Sequence, residues 1–101
     1  MRKLRRELDS AAIPDGPTGR ATLIRFATRF CEVLQTEGRD ADEWESALIV
    51  ATVGAVRGGL TRYAATCLKK AMTDPALCAP GTRGQGGTSR GELEQMIAAM
   101  R

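Results

Sequence analysis

The chain has 101 residues, 43% hydrophobic and 27% charged, with a formal net charge of +3 and no histidine. That length bounds it to one modest core burying about two-thirds of the unfolded surface, and the composition argues against disorder. The absence of histidine removes the commonest general base and the commonest metal ligand together, so the chain is read as non-enzymatic, with no cofactor and no metal.

Leu4, Leu8 and Ala11 share a face at helical spacing, which predicts a helix from Met1 to about Ala12. Arg2, Lys3, Arg5 and Arg6 lie around the rest of it. The segment Ile13-Pro14-Asp15-Gly16-Pro17 stops it, because proline cannot continue a helix and biases the residue before it toward extended geometry. An export signal is not expected, since the stretch after Arg5-Arg6 carries Glu7, Asp9, Pro14 and Asp15 and has no hydrophobic region.

A second helix is predicted from about Thr18 or Arg20 to Glu37, with Leu23, Phe26, Ala27, Phe30, Val33 and Leu34 at helical spacing and Gly38 as C-cap. A third, over Ala41 to Arg57, is announced by Asp40 with Glu43 three positions on, the spacing of a capping box. Its stretch Ala47 to Val56 is apolar nearly all round, which marks the centre of a core. The row Ala47, Ala51, Ala55 and Gly59 would let another helix approach closely, and the favoured partner is a helix of the same chain. Gly58-Gly59 breaks the chain before a fourth helix, Leu60 to about Thr73. Leu60, Ala64, Cys67, Leu68 and Ala71 are expected to point inward, while Arg62, Lys69 and Lys70 form a positive stripe.

Residues 80–88 read as a flexible glycine-rich linker. The spacing Gly81 to Gly86 imitates a phosphate-binding loop, but Gly87 and Thr88 stand where lysine and Ser/Thr are required. Ser89-Arg90-Gly91-Glu92 then opens a terminal helix whose apolar stripe is Leu93, Met96, Ile97 and Met100. A helix that short is marginal alone, so the stripe must dock on the body, on a second copy or on another protein.

Cys31, Cys67 and Cys78 are odd in number and far apart, which fits reduced thiols in the cytoplasm and meets no zinc pattern. Cys78, near Arg83, is the thiol to test for reactivity. No run approaches the roughly 20 apolar residues that cross a bilayer. The four aromatics, Phe26, Phe30, Trp44 and Tyr63, leave the core to aliphatic side chains, which suits packed helices.

The expectation is an all-α bundle of four to five helices, divided into a helical core over 1–79, a linker over 80–88 and a docking helix over 89–101. Its expected role is that of a small regulatory or adaptor protein, a homodimer or bound to another protein. Leu93, Met96, Ile97 and Met100 would enter a groove by the helix-in-groove mode. No membrane and no small-molecule substrate are indicated. The alternative is a nucleic-acid-binding regulator using Arg2, Lys3, Arg5, Arg6, Arg62, Lys69 and Lys70.

Overall fold

The structure, a computed structural model, describes residues 1–72 and 88–101. It is all-α: α1 (Arg2–Ser10), α2 (Pro17–Glu37), α3 (Glu43–Arg57), α4 (Thr61–Ala71) and α5 (Arg90–Ala98). The longest helix, α2, is the pillar, touching α1, α4 and α5, and it buries Leu23, Phe26, Ala27, Phe30, Cys31 and Leu34. Pro17 stands in its first turn, where the missing N–H is no loss. Gly19 allows the preceding loop to fold back on that turn, since a Cβ there would lie 1.7 Å from the Pro14 carbonyl oxygen. Gly38, at φ 68, ends the helix in the left-handed region that glycine tolerates best.

The start of α3 corrects the sequence reading by two residues. Asp42 is the N-cap: its Oδ1 accepts from the Glu45 N–H at 2.8 Å, and Glu45 Oε1 accepts from the Asp42 N–H at 3.0 Å. Asp40-Glu43 has the same spacing, but the register on Asp42 satisfies the carboxylate of Glu45, which is 0% exposed. Arg39 completes that site, donating from both terminal nitrogens to Glu45 at 2.7 and 3.0 Å. This fork, before the weaker help of Glu37, holds the Arg39 guanidinium above its ordinary pKa against the opposing effect of burial. Asp40 serves another helix, accepting from the Arg90 N–H at 3.1 Å at the start of α5.

Helices α3 and α4 form an antiparallel hairpin, with Trp44 Nε1 donating to the Lys70 carbonyl at 3.3 Å across it. Gly59, at φ 80, makes the turn, and the Leu60 N–H donates to the Ala55 carbonyl at 2.8 Å. Ala64, Cys67, Leu68 and Ala71 point inward as expected. Leu60 does not: it is the residue before the first helical turn and is 58% exposed. The expected end of this helix at Thr73, residues 80–87 of the expected linker, and Cys78 lie outside the described residues.

Helix α5 returns to the body and packs on α2 and α3. Ser89 caps it, its Oγ accepting from the Glu92 N–H at 3.3 Å. Arg20 Nε donates to the Met100 carbonyl at 2.7 Å, and Gln35 Nε2 donates to Glu94 at 2.9 Å. Ahead of the helix, Thr88 is stitched to Ser46 and to the Ala41 N–H. Burying Leu93, Ile97 and Met100 stabilises the fold by about 1.5 to 3 kcal/mol each, which offsets the cost of ordering a helix too short to stand alone.

Candidate functional site

Of the three surfaces open to the terminal stripe, the structure uses the chain's own body. Leu93 and Met100 are 0% exposed, Ile97 is 4%, and Met96 is half-buried. This corrects the expectation that these four side chains enter a partner's groove: the groove is the surface of α2 and α3, and three of the four anchors are inside the core. The periodicity that marks a docking helix marks a core helix equally, because both need one apolar stripe.

The basic residues are brought together in part. Helices α1 and α4 lie side by side, so the cluster at Arg2, Lys3, Arg5 and Arg6 neighbours the helix carrying Arg62, Lys69 and Lys70. Asp9 stands between them, 3.9 Å from Arg5 Nε and 3.8 Å from Lys69 Nζ. Asp15 accepts from the Arg62 N–H at 3.0 Å and lies 3.8 Å from its Nε. These exposed pairs contribute little stability, but they offset part of the positive potential on that side.

The cysteines offer no activated nucleophile among the described residues. Cys31 is buried, and burial first, then the carboxylates of Glu94 and Glu32, push its thiol up to about 11. Cys67 is buried as well. Among the described residues no group of three Cys, Asp or Glu side chains is placed to hold a metal ion, and no helix is long and apolar enough to cross a membrane.

The surface that sequence reasoning missed is the outside of the α3–α4 hairpin. Val50 is 57% exposed, Leu60 58% and Tyr63 61%. On α3 the inward face is Glu45, Ile49, Thr52, Ala55 and Val56, whereas Ala47, Val50 and Gly54 face outward with Ala51 and Val53 half-buried beside them. The row of small residues is therefore divided, with Ala55 inside and Ala47 outside. No charged residue stands between Ser46 and Val56 to mark the solvent side, and the hydroxyl within that run misleads. Thr52 is fully buried because its Oγ1 donates to the Leu48 carbonyl at 2.7 Å, so a polar residue turns inward while a valine turns out.

No protein-family model, curated protein or solved structure matches this chain.

Proposed function

We propose that this chain is a small, non-catalytic regulatory or adaptor protein of the cytoplasm that acts by protein–protein binding as a homodimer, through the outer face of its α3–α4 hairpin. The observation that carries the reading is the exposure of Val50, Leu60 and Tyr63, each more than half open to solvent and all on that hairpin. Exposed large aliphatic and aromatic side chains that gather on one element are the raw material of an interface core. A second copy fits the outer face of α3 because a two-fold contact places a surface against itself, and the run Ala47 to Val56 carries no charge to repel its own image. Val50→Glu puts two carboxylates into such a contact while leaving the monomer's core untouched. Solution mass should therefore fall from dimer to monomer in the variant, with helical content unchanged. A wild-type chain that stays monomeric at high micromolar concentration refutes the reading.

The second reading, nucleic-acid binding, draws support from the adjacency of α1 and α4, which places the two basic groups on neighbouring helices. Replacing Arg62, Lys69 and Lys70 together by Ala should then flatten the slope of log affinity for duplex DNA against log salt. An unchanged slope removes this reading and leaves the first standing.

A further inference from the structure

We infer that the cavity where α2 begins, the α3–α4 hairpin turns and α5 ends binds a phosphate monoester of small-molecule size. The cavity holds about 510 Å³, within the range of small-ligand pockets. Three arginines line it, each from a different part of the chain: Arg20 from the start of α2, Arg57 from the last position of α3, and Arg101 just beyond α5. No Asp or Glu lines it.

Among the described residues Lys3, Arg6 and Arg25 also stand without a carboxylate side chain at ion-pair distance, but here three such cations surround one concavity. Arg5, Arg29, Arg39, Arg62, Lys69 and Arg90 each have a carboxylate within ion-pair distance. Among the described residues no carboxylate side chain stands at that distance from Arg20, Arg57 or Arg101. Like charges gathered around one concavity repel, and an anion seated among them removes that repulsion while taking several guanidinium hydrogen bonds.

Arg20 is already positioned. Its Nε donates to the Met100 carbonyl at 2.7 Å, which fixes the plane of the guanidinium and leaves both terminal nitrogens to donate. Gly16 at the mouth of the cavity gives α2 no side-chain cap, so the positive end of that helix adds to the same field. A dianionic, tetrahedral phosphate can engage three guanidiniums, which a single carboxylate cannot match in charge. Of the other lining residues, Pro17, Ala21, Ile24 and Val56 are apolar and suit the organic part of an ester, with Thr61 beside them. The recognition is thus of a phosphate joined to a small apolar group.

Phenyl phosphate is the probe, titrated calorimetrically into the full chain, with inorganic phosphate for comparison and sodium chloride at matched ionic strength. Phenyl phosphate should bind about tenfold more tightly than inorganic phosphate, the ratio expected from covering a small apolar wall. Arg57→Gln and Arg101→Gln should each weaken binding by about tenfold or more. Arg6→Gln, which keeps the cavity and changes the net charge equally, should leave it within about twofold. Arg57 and Arg101 are exposed, so both variants should keep the parent's unliganded melting temperature. Absence of binding above the chloride control overturns the inference. Equal weakening by Arg6→Gln overturns it too, since that result means diffuse charge. Binding of a short oligonucleotide without binding of phenyl phosphate assigns the arginines to a nucleic-acid backbone, and the inference fails.

Discussion

Removing Arg39 should cost more than neutralising the acid it serves. Glu45 is 0% exposed, and its carboxylate takes two hydrogen bonds from Arg39, at 2.7 and 3.0 Å, and one from the Asp42 N–H at 3.0 Å. Arg39→Met withdraws both guanidinium bonds from a carboxylate that lies inside the fold. Breaking a buried pair in this way costs about 3 to 5 kcal/mol, and the lower end applies because water reaches the Arg39 side chain, which is 36% exposed. Glu45→Gln keeps the shape and an acceptor for the Asp42 N–H while deleting the charge, at a cost of about 1 to 2 kcal/mol. With both changes together the buried charge and its absent partner go at once, so the double variant should cost less than the sum of the singles by about 1 kcal/mol or more. Urea denaturation monitored by far-UV circular dichroism measures all three, and Arg39→Lys, which retains charge without the fork, should fall between wild type and Arg39→Met. A cost for Arg39→Met below about 1 kcal/mol, or below that of Glu45→Gln, would refute the reasoning and reduce Glu45 to a helix cap.

Gly19→Ala should destabilise the chain by more than about 2 kcal/mol in the same assay, because the new Cβ meets the rigid Pro14 carbonyl at 1.7 Å and the loop before α2 must move. Ile97→Ala should cost about 2 to 4 kcal/mol, and a chain ending at residue 87 should lose its cooperative transition, since α5 supplies Leu93, Ile97 and Met100 to the core. A truncated chain that melts like the full one would return those residues to the role of a free docking stripe. The raised Cys31 thiol has a defined pH signature. Its folded value of about 11 lies above the ordinary 9.0, so its contribution to stability is complete below pH 9 and is lost as pH rises toward 11. Stability of wild type should therefore fall between pH 9 and 11 relative to Cys31→Ala, and parallel curves would contradict the assigned cause. At pH 8 the same shift leaves much less thiolate than in the unfolded chain, and together with burial it should slow alkylation of Cys31, read by mass spectrometry, relative to the unfolded chain.

The helices were legible wherever a local signal has one meaning. Proline and glycine between Ile13 and Pro17 end one helix and start the next, and Gly38 ends α2, because no tertiary contact can reverse what those residues do to the backbone. Two pairs of acids with identical spacing were not legible. Asp40-Glu43 and Asp42-Glu45 offer the same capping chemistry, and the choice between them is made by Arg39 and by which glutamate the core covers. The inside and outside of α3 were hidden for a related reason: without charges in Ala47 to Val56, only packing decides that Ile49 is buried and Val50 is not. The arginine-lined cavity was beyond reach, since Arg20, Arg57 and Arg101 are scattered along the sequence and meet only when α5 closes against α2.

Gly54 puts the outer face of α3 to a test that separates the monomer from its assembly. It lies in the middle of a helix, exposed, and a Cβ built on it meets nothing within 4 Å. In an isolated chain Gly54→Ala should therefore stabilise α3 by about 0.5 to 1 kcal/mol, by lowering the entropy that a helical glycine loses on folding. If the α3 faces of two copies meet, the same methyl group enters the contact beside Val50 and holds the helices apart. Melting temperature should then rise at low concentration, where the monomer dominates, and the dimer dissociation constant should rise as well. Opposite signs for fold stability and association cannot come from a change in helix propensity alone, which acts on the monomer in both states. Stabilisation that is independent of concentration, with association untouched, would place the dimer contact elsewhere and leave Leu60 and Tyr63, at the start of α4, as the remaining apolar anchors on the hairpin.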